Sequence, residues 1–192
     1  MDLIVRLATV RDVDAVVRVL VATKEASFPD TTDDHDRDIP FWTRRWRGYI
    51  VDGSRAQKSL GDGWVFIAET GNGPVGYVAY HHSTRLGTDA ELQNIYVLKE
   101  AQGRGIGTRL LGVVAHRLHA DGSRSLCVGY DANSPYRTFY LKHGAHETGP
   151  GAPWAIWPDV AALAARVPKP GPLLLGELRR PSRTSLIRRL WP

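Results

Sequence analysis

The chain has 192 residues, 43% of them hydrophobic, which suits one domain of ordinary size with a real core. No run of 18 apolar residues occurs, so no helix is expected to span a membrane, and a single cysteine, Cys127, excludes an intramolecular disulfide. The formal net charge of +5 sits in residues 168–192, where Lys169, Arg179, Arg180, Arg183, Arg188 and Arg189 oppose Glu177; residues 1–167 are neutral, so the high pI is no evidence for a nucleic-acid-binding body.

The start, Met1-Asp2-Leu3-Ile4-Val5-Arg6, lacks the basic and apolar regions of a secretory signal. With one apolar-flanked cysteine, this points to the cytoplasm. Leu3 to Leu7 reads as a first strand. Thr9 and Asp12 have the spacing of a capping box. Val13, Val16, Val17, Leu20 and Val21 follow at helical spacing, predicting a helix over 10–26. Residues 28–38 form a polar loop carrying Asp30, Asp33, Asp34, Asp36, Asp38 and His35. The calcium-loop glycine and terminal glutamate are missing. A solvated loop fits, as does an acidic lip that attracts a cationic amine. Trp42, Trp46 and Ile50 mark a second helix over 39–51.

Residues 64–68 and 75–80 read as two strands joined by the turn signal Gly71-Asn72-Gly73-Pro74, hence a hairpin. His81 and His82 end the second of these. One of them relays a proton, or both are solvated strand-end side chains. Glu91 to Val97 is the next strand. After it comes Gln102-Gly103-Arg104-Gly105-Ile106-Gly107, which opens a helix over 104–120.

Three glycines at alternate positions remove the side chains that would hold a ligand off the backbone. The first helical turn leaves amide N–H groups unpaired, and the helix dipole adds positive charge there. Strand, glycine loop and helix start together describe a pyrophosphate cradle, or else merely a glycine-rich turn. It is not an NTPase loop, because no Gly-Lys-Ser/Thr ending follows. Nor does it sit on the first strand, as a dinucleotide fingerprint would.

Gly122 stops the helix. Leu126-Cys127-Val128 is a strand, with Cys127 expected to be a buried, inert thiol. Asn133-Ser134-Pro135 starts a short helix to Lys142, Trp154 to Trp157 is a late strand, and residues 159–167 form an alanine-rich helix. The segment 168–192 is a basic, proline-rich tail with apolar spots at Leu186, Ile187, Leu190 and Trp191. It is a loose extension, or an arm that packs on its own domain or joins a homodimer.

Two stretches resemble the GCN5-related N-acetyltransferase (GNAT) superfamily. Residues 91–111 are similar to the family's strand plus Q/R-x-x-G-x-G/A loop, here Gln102 to Gly107. Residues 133–145 resemble its N-x-x-A-x-x-F-Y-x-x-x-G-F segment, with Tyr136 at the usual alanine and Ala145 at the usual phenylalanine. The likeness runs from Ile4 to about Trp157.

It implies an α/β fold, with a mixed, strongly twisted sheet, helices on both faces, and a splay between the fourth and fifth strands. Residues 1–167 are then the acetyltransferase domain. Acetyl-CoA is the implied cosubstrate, with no metal. Its pyrophosphate is expected on Gln102, Gly103, Arg104, Gly105, Ile106, Gly107 and Thr108. Tyr96, Val97 and Leu98 are expected to offer backbone to the pantetheine, and Asn133 to contact it while also capping its helix. A backbone N–H near Val97 is the expected oxyanion donor.

The implied activity moves an acetyl group to a primary amine of a small molecule or peptide. Glu91 is the expected base, unless it is a solvated charge on an exposed strand face. Tyr140 is the expected acid, unless it is core beside Phe139. Trp42 and Trp46 wall the acceptor pocket or serve only the core. The alternative function is a non-catalytic acyl-CoA sensor whose basic tail contacts a partner or nucleic acid.

Overall fold

The computed structural model describes residues 3–29, 32–52, 63–131, 134–150 and 153–171. Asn133, Asp30 and the tail from 172 onward lie outside the described residues.

The chain opens with β1 (Ile4–Leu7), a 3-10 turn at Val10–Asp12, and α1 (Val13–Ser27). The first helical turn is thus tighter than a helix starting at Val10 would have it. Asp12 explains this: its carboxylate takes hydrogen bonds from the backbone N–H and hydroxyl of Thr9 and a two-pronged one from Arg6. Arg6 also donates to Glu69 on β2 (Gly63–Thr70), so one guanidinium ties three segments together.

Arg6 is the main reason the Asp12 carboxyl is held down at about 2, against an ordinary 3.8. A depressed carboxyl stabilises the fold above about pH 4 and loses that contribution as pH falls through its folded value. Asp12→Asn is therefore expected to cost about 2 kcal/mol at neutral pH. In urea unfolding the gap to the wild type should close as the pH approaches 2; equal stability at pH 7 would contradict the role.

α2 spans Ile39–Asp52. Asp38 starts it, taking the Phe41 N–H on its side chain at 2.9 Å. β2 and β3 (Gly73–His82) form the expected hairpin, and a 3-10 turn at Arg85–Gly87 leads to β4 (Ala90–Val97). α3 (Ile106–Ala120), β5 (Leu126–Gly129), α4 (Arg137–Lys142), β6 (His146–Glu147), β7 (Trp154–Trp157) and α5 (Val160–Arg166) complete the order.

Two expectations change. The helix read from residue 134 begins at Arg137, with Ser134 to Tyr136 forming a turn ahead of it. β6, two residues long, is too short to leave a hydrophobic pattern.

The seven strands lie in the order β1-β2-β3-β4-β5-β7-β6. All neighbours are antiparallel except β4 and β5. Helices cover both faces. Phe66, Val78, Tyr80 and Leu92 pack towards Leu110, Val114 and Leu118 of α3 and Leu163 of α5. Val65, Ile67, Tyr77 and Ala79 pack towards Val16, Val17 and Leu20 of α1 and Trp46 and Tyr49 of α2. Burial on both sides explains why the central strands read as continuous apolar runs.

The packed chain extends past α5. A side chain on Gly112 of α3 would lie 2.5 Å from the Pro168 carbonyl oxygen, so only glycine lets that segment pass. Among the described residues, no helix is long and apolar enough to cross a membrane.

Candidate active site

Pairing between β4 and β5 runs from Ala90↔Leu126 to Leu92↔Val128 and then stops. β4 continues to Val97 while β5 ends at Gly129. The two strands part, and a cavity of about 510 Å³ opens between them. One wall is Gln93 to Val97, the other is Val128 to Asp131, and the glycine loop with the start of α3 forms one end.

A bulge shapes the first wall. Ala79 pairs with Asn94 but Tyr80 pairs with Leu92, which leaves Gln93 as an extra residue. Bulges bend a strand and re-aim its side chains. Here Gln93 and Asn94 face both the main cavity and a smaller one of about 110 Å³, lined also by Trp42, Trp46, Tyr49 and Tyr96. Trp46 is core as well, at 2% exposure.

At the loop, Gly103 and Gly105 have φ of +73° and +77°, a left-handed conformation that L side chains rarely adopt. Gly105 is the residue from which α3 starts. Gly107 stands for another reason: a Cβ there would lie 3.3 Å from the Phe139 ring on α4. Gln102 pins the loop to β4, its side-chain amide donating to the Val97 carbonyl at 2.9 Å and to the Tyr136 hydroxyl at 3.2 Å. Tyr136 in turn meets the Ser27 hydroxyl at 2.7 Å. The tyrosine at the family's alanine position therefore links α1 to the glycine loop across the cavity.

Of the residues expected to hold a cofactor, Tyr96, Val97, Gln102, Gly103, Gly105, Ile106, Gly107 and Thr108 line the cavity. Leu98 does not: its amide donates to the Val75 carbonyl at 2.9 Å and its side chain packs on the cores. Arg104 is exposed and is not a lining residue either.

Tyr140 lines the cavity. Its ring stacks on Tyr130 at 5.6 Å and meets Trp157 edge-on. Burial raises its phenol well above the usual range, so it stays protonated. Its hydroxyl has no hydrogen-bond partner among the described residues. α4 is locked in turn by His143, which bonds Thr108 on α3 and the Phe139 carbonyl.

Glu91 is neither a solvated charge nor a lining residue of the cavity. It is 8% exposed, pairs with Arg85 at 2.8 Å, takes a hydrogen bond from the Ser83 hydroxyl at 3.4 Å, and lies 3.6 Å from the His81 Nε2. His81, opposite Glu91 in register, is fully buried, contrary to the solvated strand-end alternative. Burial lowers its pKa, so it is neutral at pH 7. On the other side of Glu91 lies Cys127, whose thiol burial pushes up, as expected of an inert cysteine. Of the described aspartates of the 28–38 loop, Asp36 lines the cavity and pairs with Lys24, Asp33 takes the Asp36 N–H, and Asp38 caps α2.

Gln93, Asn94 and Lys24 also line the cavity, and nothing in the sequence pointed to them. A bulge leaves no pattern in one sequence, and Lys24 reads as an ordinary helix-surface charge.

A parallel strand pair that parts beside a glycine-lined helix start, with a protonated tyrosine facing the gap, defines an acyltransferase-type cleft. Residues 61–144 match the family model described as an acetyltransferase (GNAT) domain. The chain is 30% identical over 152 residues to a probable N-acetyltransferase of Mycobacterium tuberculosis, covering 69% of this chain and 82% of that protein. The fold is similar to that of PaiA N-acetyltransferase from Thermoplasma acidophilum, solved with coenzyme A (17% identity, TM-score 0.63, 81% of this chain and 98% of that one). It is also similar to a GNAT acetyltransferase from Brucella melitensis solved with acetyl-CoA (19% identity, TM-score 0.55, 88% and 94% coverage). The chain belongs to the GNAT superfamily of N-acetyltransferases.

Proposed function

We propose that the chain binds acetyl-CoA in the cleft and moves its acetyl group to a primary amine of a small molecule or peptide. The observation that carries this is the splay itself, an open cavity bounded by the β4 edge and the glycine-lined start of α3. The residues present suit the ligand. The volume of about 510 Å³ lies within the range of small-molecule sites. The first-turn amides of α3 would hold the pyrophosphate, and the Gln93–Val97 edge would pair with the pantetheine and supply the oxyanion donor. Asn133 remains proposed as a further pantetheine contact.

Bound acetyl-CoA supplies a reactive thioester. Glu91 accepts the proton of the amine, through a water since it does not line the cavity, as the N–C bond forms and the C–S bond breaks. Tyr140 gives its phenolic proton to the departing sulfur. The presence of both groups favours an enzyme over an acyl-CoA sensor.

Lowering the pH protonates the amine, so turnover falls on the acid side of the pH–rate profile. Glu91→Gln is expected to lower turnover on the order of 100-fold and flatten that acidic limb. An unaltered pH–rate profile would give the proton to water or to His81.

A further inference from the structure

Arg85, in the turn between β3 and β4, holds Glu91 but takes no step in the reaction proposed above. Its Nε donates to Glu91 Oε2 at 2.8 Å, and its guanidinium lies over the Trp154 ring, 4.9 Å from the centroid. The side chain is nonetheless 51% exposed, while that of Glu91 is 11% exposed. Its two terminal nitrogens donate to no described residue. The next residue, Leu86, sits at φ 55°, a backbone conformation that a leucine adopts only where its surroundings impose it. Trp154 packs closely against Gly129, which lines the main cavity, so Arg85 stands on the same side of the cleft.

A guanidinium offers five N–H donors in a rigid fork. Here Glu91 fixes one donor and Trp154 fixes the plane. The remaining edge is an ordered, half-exposed cation that takes a carboxylate two-pronged. It lies directly beside the proposed base, close enough for one small molecule to span the two. The smaller cavity adds a place for a side chain. Trp42, Trp46, Tyr49 and Tyr96 wall it, and its described lining includes Lys24 and Arg45 but no carboxylate. Tyr49 leads from it towards the base: its hydroxyl donates to the Tyr80 carbonyl at 3.2 Å, one residue before His81, which lies opposite Glu91.

We infer that Arg85 binds the carboxylate of the acceptor, and that the acceptor is a compact amino acid with an apolar or aromatic side chain, its amine presented to Glu91. This rests on the reading of Glu91 as the base. The incoming carboxylate shares the guanidinium with Glu91 and loosens its hold.

L-Phenylalanine and phenethylamine differ only in the carboxylate, and their binding to the full chain with CoA present can be compared by calorimetry. A two-pronged, charge-assisted contact should favour L-phenylalanine about tenfold or more. Arg85→Gln should erase that preference, whatever the freed Glu91 does to both amines alike. Arg85→Lys, which keeps the charge and loses the fork, should fall between. With acetyl-CoA the same ratio should appear in KM. A merely structural role for Arg85 would shift both amines together. Equal binding of the two amines to the wild type, no binding of L-phenylalanine, or a preference that survives Arg85→Gln would each overturn the inference. Loss of acetyl-CoA binding, with the amine preference intact, would count against the proposed function instead.

Discussion

Gly107→Val is expected to abolish acetyl-CoA binding while leaving the protein folded. Gly107 lies in the first turn of α3 and lines the cavity, where the first-turn amide groups would meet a pyrophosphate. Its φ is not left-handed, so valine brings no backbone strain there, and within a helix valine is no worse than glycine by propensity. The cost is local and steric. A Cβ would already stand 3.3 Å from Phe139, and two γ-methyls add bulk where a phosphate must approach the backbone. Calorimetry should find affinity reduced on the order of 100-fold or more, equivalent to about 2.7 kcal/mol. Unchanged affinity would mean the pyrophosphate lies elsewhere. Gly105→Val is a poorer test, because φ +77° at that position would strain the start of α3 as well.

Tyr140→Phe is expected to lower turnover on the order of 10²–10⁴-fold with little change in acetyl-CoA affinity. The substitution removes one oxygen. The ring keeps its stack on Tyr130 and its edge contacts with Phe139 and Trp157. The hydroxyl leaves no described partner stranded, so stability should hold. Burial keeps this phenol protonated across the working range, which suits a proton donor and not a base. Steady-state rates with a good acceptor, set beside binding data, separate the roles. Full turnover would leave Tyr140 as a core residue.

The order of elements was legible because each carried a local signal. The apolar stripe of α3 and its stop at Gly122, the Gly71–Pro74 turn, and the glycine loop after an apolar strand needed no tertiary information. Tyr140 and most of the loop residues line the cavity.

The site's second half was not legible. The bulge at Gln93 depends on how β3 and β4 pair, and pairing register leaves no trace in one chain's periodicity. Glu91 was recognised as a carboxylate at the right place. Its partners Arg85, Ser83 and His81 come from the preceding strand and turn, and only folding brings them together. His81 looked like a solvated strand end because it neighbours another histidine and a polar turn. It is buried between Gly63 of β2 and Glu91 of β4, at the end of the sheet that Tyr49 of α2 covers by packing on Gly63 and bonding the Tyr80 carbonyl. Leu98 was expected at the cleft because the resemblance implies strand backbone over 96–98, but here the strand ends at Val97 and the chain turns.

The central claim is amine-dependent transfer from acetyl-CoA in this cleft. Release of free CoA thiol in the presence of acetyl-CoA and a panel of amino acids, small amines, aminoglycosides and peptides tests it most directly. Thiol release that requires an amine, matches N-acetylated product one for one and collapses in Tyr140→Phe is the predicted result. Tight acetyl-CoA binding with no amine-dependent release from any member of the panel would contradict it and make the chain a sensor.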